Sequence, residues 1–271
     1  MKENEIDISV IIPSYKPEGY IWQCLTSLKS QTFEKDRFEI ILILNGCKEP
    51  FYSDIINFAN ENLEGNIIKV LQTDVAGVSN ARNIGIENAK GRYITFLDDD
   101  DYLSECFLEK MLPIAENGII PMSNMISFSD DDNSVQPYYV TEAFKHLYEK
   151  GVVSPLDARS YLSVCVAKLL PTELIGTTRF STDLKLSEDA LFMFTISKNI
   201  SGMKCSDSTA IYFRRIRKNS ATTSKRSHTD GVAKFLRISS KYCGVFFKSP
   251  FKYNSILLLT RIGGAMKNFL R

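Results

Sequence analysis

A chain of 271 residues, 44% of them apolar and 24% charged, is long enough for one large domain, or one domain with an appendage, around a sizeable core. The net charge of +1 is unevenly placed: from Lys204 onward there are 15 Lys+Arg and 2 Asp+Glu, about +13, against about −12 over residues 1–203. Six cysteines without paired short spacing argue against a zinc site or a disulfide scaffold and fit a reducing, cytoplasmic setting; Met1 to Glu5 show no secretory pattern, and no run approaches the ~18 apolar residues of a spanning helix. In chain order, Ile8 to Pro13 is a near-continuous apolar run, as expected for a strand buried on both faces of a parallel sheet. Ile21, Leu25 and Leu28 recur at helical spacing, and Phe38 to Leu44 reads as the next buried strand, ending in the turn Asn45-Gly46-Cys47. Strand, helix, strand is a right-handed βαβ unit. Asp54 to Asn62 reads as a helix, Asn66 to Gln72 as a third strand, and Ser79 is placed to cap a helix running to Ala89.

Tyr93 to Leu97 is the fourth strand, and it ends in four consecutive acids, Asp98 to Asp101. Adjacent carboxylates repel and are unfavourable to bury unpaired. Read alone, the run supports two arrangements equally: a site for a hard divalent cation, or an acidic turn in which Asp101 caps a helix over Tyr102 to Leu112. In an open α/β sheet, ligands bind beyond the carboxyl ends of the strands, so Tyr15, Asn45 and the four acids are expected to converge.

Beyond Leu103 the alternation stops. Gly118 to Phe128 and Val135 to Val140 read as strands around an acidic hairpin tip, Thr141 to Gly151 as a helix, and Ala158 to Leu170 as a further apolar element. Glu188 and Asp189 open an apolar helical run, where negative charge suits the N-terminal dipole. The basic segment Arg214 to Ser220, with Arg214, Arg215 and Arg217, is either a phosphate clamp or a solvated loop. Residues 231–271 hold eight basic and no acidic side chains among many aromatics, which suits either an anionic membrane surface or a tail packed on the body.

Taken together, ISVIIPSY (Ile8 to Tyr15), SLKSQTF (Ser27 to Phe33), GVSNARNIGIENAKGRYITFLDDDD (Gly77 to Asp101) and LSEDALF (Leu186 to Phe192) resemble the inverting glycosyltransferases of family 2, which have the GT-A fold. The resemblance covers roughly residues 6–220. It implies an α/β fold with a Rossmann-like, mostly parallel sheet, a nucleotide-binding half over about 6–103, an acceptor half over about 104–220, and a basic C-terminal extension over 221–271. It further implies that Pro13 and Tyr15 border the nucleotide base, with Asn45 at the place where the family carries a base-reading aspartate. Arg82 is implied near the nucleotide, and Asp98 and Asp99 near the donor. Asp100, with Asp98, would hold Mg²⁺ or Mn²⁺, and Asp101 would be left as the helix cap. Glu188 and Asp189 match the family's ED motif, whose aspartate is the general base.

The expected reaction is transfer of a sugar from a nucleotide-diphosphate sugar to a saccharide or lipid-linked hydroxyl with inversion, in surface polysaccharide synthesis. Arg214, Arg215 or Arg217 would add phosphate or acceptor contacts. The competing expectation is a sugar-nucleotide-binding subunit without turnover. A dinucleotide-dependent dehydrogenase is disfavoured because no G-x-G-x-x-G follows the first strand. No nucleic-acid partner is expected, and the extension is expected to make peripheral membrane contact at the inner face.

Overall fold

In the computed structural model of the chain, which describes residues 5–115, 118–184, 186–217 and 231–269, the first apolar run becomes β1 (Ile8–Ser14), buried at every position. After α1 (Tyr20–Lys29) comes β2 (Phe38–Asn45), also buried throughout. A strand without polar alternation is stable only where both of its faces are covered. The unit continues through α2 (Phe51–Asn62), β3 (Ile67–Thr73), α3 (Val78–Asn88) and β4 (Tyr93–Phe96). β4, β1, β2 and β3 lie side by side in that order, all parallel.

Register decides where the chemistry lies. Ser14 pairs with Leu44 and Asn45 with Thr73, so these strand ends are level. β4 stops where Phe96 faces Ile11, and Leu97 N–H still donates to the Ile11 carbonyl, which delivers the four acids beside Ser14. α3 packs on β1 and β2 closely enough that a Cβ at Gly85 would stand 2.3 Å from Cγ2 of Ile11. Only a glycine permits that approach.

The second half is built from β5 (Tyr102–Leu103), α4 (Phe107–Ala115), β6 (Ile120–Met122), β7 (Asn124–Ser129), β8 (Val135–Gln136), α5 (Tyr139–Leu147), β9 (Val152–Val153), β10 (Leu170–Pro171), α6 (Thr172–Ile175), α7 (Glu188–Ile196), β11 (Met203–Cys205) and β12 (Ile211–Ile216). β10 adds an antiparallel edge to β4. β5, β12, β7 and β8 form a second sheet, and β6, β11 and β9 a third. Last come α8 (Gly231–Phe247) and α9 (Ser255–Phe269).

Several sequence expectations are corrected here. The helix over Tyr102 to Leu112 begins only at Phe107, because Tyr102 and Leu103 pair with β12; Asp101 therefore caps no helix. Ser79 is not the cap of α3 either: Gly77 is, and the Ser79 hydroxyl is buried without a hydrogen-bond partner among the described residues. Gly118 to Phe128 is two strands in different sheets, β8 ends at Gln136, and Tyr139 already starts a helix. Ala158 to Leu170 is mostly turns around one short 3₁₀ segment at Tyr161–Ser163. Lys218, Asn219 and Ser220 of the basic segment, and the expected boundary at 220/221, lie outside the described residues.

Of the two settings open for the C-terminal stretch, packing on the body is realised along one side. Ile238, Tyr242, Tyr253, Leu257 and Leu258 are buried. The Tyr253 hydroxyl donates to the Thr195 carbonyl at 2.9 Å, and Arg261 donates to the Ser163 hydroxyl at 2.6 Å. An arginine buried this way is stabilised by carbonyl and hydroxyl acceptors rather than by a counter-charge.

Candidate active site

An open cleft of about 540 Å³ lies at the level strand ends. Pro13, Tyr15, Asn45, Arg82, Asp98, Asp99, Asp100, Asp101, Arg214, Arg215 and Arg217 all line it. Glu188 and Asp189 are not among its lining residues, but a single guanidinium connects them to it. Arg82 Nη2 donates to Asp98 Oδ1 at 2.8 Å, while Nη1 donates to Asp189 Oδ1 at 2.6 Å and lies 3.7 Å from Glu188 Oε1. The Arg82 side chain is only 4% exposed.

Aromatic packing sets this geometry. Phe96 ends β4 two residues before Asp98, and Phe192 lies on α7 three residues after Asp189. Both meet Phe180, edge-on at 5.3 Å for Phe96 and stacked at 3.9 Å for Phe192. Arg82 lies over the same Phe180 ring at 5.4 Å, so cation–π attraction adds to the three ion pairs. Ser187, in the left-handed conformation at φ 65°, turns the chain into α7 so that its first-turn acids reach Arg82.

The four acids have four different settings. Asp98 is held by Arg82, and its backbone N–H donates to the Tyr212 hydroxyl at 3.2 Å. Asp99 accepts from the Ser14 hydroxyl at 2.6 Å; burial, with Asp100 and Asp98 nearby, pushes its carboxyl up to about 7 against that hydrogen bond. Asp100 is paired with Arg217 Nε at 2.8 Å, and burial and then Asp98 raise it while Arg217 opposes. Asp101 is buried and structural: it accepts from the Tyr212 hydroxyl and from Arg215 N–H, each at 2.7 Å, and burial raises its carboxyl.

The three arginines of β12 and its end also differ. Arg214 lies over Tyr138 at 4.8 Å and Arg217 over Tyr20 at 4.5 Å. Arg215 donates to the Asp100 carbonyl at 2.8 Å and bridges to Asp130 and Gln23. Asn45 is buried, and its amide ties two strand ends to α3 by donating to the Ser14 carbonyl at 2.7 Å and accepting from Gly77 N–H at 2.9 Å. Tyr15 is half exposed at the cleft mouth. Sequence reasoning missed Ser14, Tyr20, Phe180 and Tyr212. Nothing in their local sequence marks them, because their partners lie in other elements.

No group of three or more His, Cys, Asp or Glu side chains among the described residues forms a ready cation cage. Asp98 and Asp100 nonetheless present hard oxygen donors to the cleft, beside Asp99, and burial raises the carboxyls of Asp99 and Asp100. This donor set fits Mg²⁺ or Mn²⁺, which complete their shells with substrate phosphate and water.

A parallel sheet with these residues at its strand ends defines a mixed α/β protein of the GT-A type. Staphylococcus aureus TarS, solved in complex with UDP-GlcNAc, superposes with a TM-score of 0.69 at 22% identity, over 88% of this chain and 66% of that one. A mannosyltransferase from Pyrobaculum calidifontis, solved with GDP-Man and Mn²⁺, gives 0.61 at 14% identity, over 96% of this chain and 74% of that one. Residues 9–120 match the model of glycosyl transferase family 2. The Bacillus subtilis glycosyltransferase EpsJ is 27% identical over 228 residues, 79% of this chain but 62% of EpsJ, so the chain spans under two thirds of this relative's length.

Proposed function

We propose that the protein transfers a sugar from a nucleoside-diphosphate sugar to a hydroxyl of a saccharide or lipid-linked acceptor, with inversion, in the assembly of a surface polysaccharide. The observation that carries this reading is the Arg82 clasp, which holds Asp98 of the donor wall and Asp189 of the base motif on one guanidinium. In this reading residues of about 6–103 bind the donor and residues of about 104–220 the acceptor. Tyr15 offers a ring face to the base, and Pro13 and Asn45 shape the pocket beneath it. TarS and the mannosyltransferase, solved with UDP-GlcNAc and with GDP-Man, support the ligand class.

Asp100 and Asp98 would hold the cation, with Asp99 beside the donor. When bound, Mg²⁺ or Mn²⁺ would supply charge neutralisation for the departing nucleoside diphosphate. Arg217 neutralises Asp100 in the donor-free cleft, and with Arg214 and Arg215 it supplies positive charge for phosphate oxygens. Asp189, 23% exposed, takes the proton of the acceptor hydroxyl while Arg82 fixes its orientation. Burial and then Asp189 raise the carboxyl of Glu188.

The test is turnover of a panel of nucleotide sugars with Mn²⁺, read as release of nucleoside diphosphate. One donor is expected to turn over, and chelation is expected to stop it. Asp189→Asn is expected to lower the rate by about 100- to 10,000-fold with donor binding intact. Donor binding without turnover by the unaltered chain would instead identify a binding subunit.

A further inference from the structure

The buried side of α8 and α9 packs on the body, and the opposite side is apolar as well. On α8, Val232, Leu236 and Phe247 are exposed, with the exposed Ser240 and Gly244 between the last two. On α9, Ile256, Leu259 and Met266 recur at spacings of three and seven and are exposed together, on the side away from the buried Leu257, Leu258 and Arg261. Phe251, in the short connection between the helices, is fully exposed, and Phe247 is 70% exposed. Singly exposed apolar side chains need no explanation, but a series of them over two consecutive helices and the connection between them does.

Charge identifies the occupant. Lys248, Lys252 and Lys267 are exposed beside these side chains, and residues 231–271 contain no acidic side chain. No described helix is long and apolar enough to cross a membrane. Helices with an apolar outer face and a basic flank lie in the plane of a bilayer interface, with rings at headgroup depth and lysines against anionic lipid. We propose that the outer face of α8 and α9, centred on Phe247 and Phe251, is a landing surface for an anionic bilayer. It rests on the transferase reading only for its purpose, which is to present the cleft to a lipid-borne acceptor.

The surface is fixed to the catalytic helix. Phe194 of α7 meets Tyr242 of α8 edge-on at 5.3 Å and stacks on Tyr253 of the connection at 5.1 Å, so α8 and the connection into α9 are braced against the element that carries Glu188 and Asp189. A bilayer held there sits at a set orientation to the base.

The test is co-sedimentation of the whole chain with vesicles of phosphatidylglycerol and phosphatidylcholine, mixed one to two, at low salt. Binding is expected, and Phe247→Ser with Phe251→Ser is expected to weaken it by about tenfold or more, since both rings lose their burial in lipid. Because both are exposed, the thermal midpoint of the double variant should match that of the parent. Lys248→Gln with Lys252→Gln should weaken binding to these vesicles and leave the weak binding to pure phosphatidylcholine unchanged. Failure of the parent chain to sediment, or undiminished binding by the phenylalanine variant, would overturn the proposal. So would a dimer in vesicle-free solution that this variant converts to monomer, which would give the face to a second copy of the chain. Donor turnover measured without vesicles should be equal in parent and variant; its absence in both counts against the transferase reading and leaves the vesicle result standing.

Discussion

At the scale of single residues, Arg82 and Lys168 show two ways of burying a cation. Arg82 is surrounded by carboxylates, so its charge is matched and its fork of donors is used to align them. Lys168 is fully buried and bonded to neutral groups, donating to the Tyr161 carbonyl at 2.9 Å and the Val166 carbonyl at 2.7 Å, with the Tyr161 ring at 5.5 Å. Burial pushes its ammonium down to about 7. An unfolded lysine titrates near 10.4, so between about 7 and 10.4 the unfolded chain holds more protons and folding stability from this group rises with pH; below about 7 the penalty for burying the charge is complete. Lys168→Met is expected to shrink the gain in urea midpoint between pH 7 and pH 10 relative to the parent chain. An identical gain in both proteins would rule this out. The variant should also be less stable at pH 10, where the parent lysine is neutral and still bonded while methionine strands two buried carbonyls.

At the scale of elements, the long uninterrupted runs were legible and the short interrupted ones were not. β1 and β2 match their sequence patterns to within a residue or two, because a strand covered on both faces needs nearly every side chain apolar, and β3, the half-exposed edge strand, matches as closely. β5, β9 and β10 have two residues each and carry no period to read; pairing with distant strands creates them. The Asp101 expectation failed for this reason. Its carboxylate looked like a helix cap locally, but β5 pairs with β12, and that brings Tyr212 and Arg215 to it. The fit of α3 on β1 is also testable. In Gly85→Ala the new methyl meets Ile11, and the overpacking is expected to destabilise the fold by about 1–3 kcal/mol in chemical denaturation. Tilting α3 away would also displace Arg82, so turnover should fall along with stability.

At the scale of the whole molecule, the charge asymmetry acquires a layout. Acidic side chains gather at the cleft wall, while the basic, aromatic-rich residues 231–269 pack on α7 and keep an apolar side outward. If the helix pair and the body form one cooperative unit, Leu257→Ala, at a position 1% exposed, should lower overall stability by about 2–5 kcal/mol in a single transition. A separate early transition, with the main one unshifted, would show that the pair unfolds on its own.

The sequence by itself determined the parallel sheet, its strand ends as the place of the cleft, and the residue types gathered there: Tyr15, Asn45 and the acids after β4. Those follow from local period and from the rule that ligands sit beyond the carboxyl ends of strands. Only the tertiary structure decided which partner each acid has. Arg82 reaches Asp189 across 107 positions, and Tyr212 reaches Asp101 across 111. Four neighbouring aspartates are alike until distant partners and unequal burial make them different, and those come only from the assembled fold.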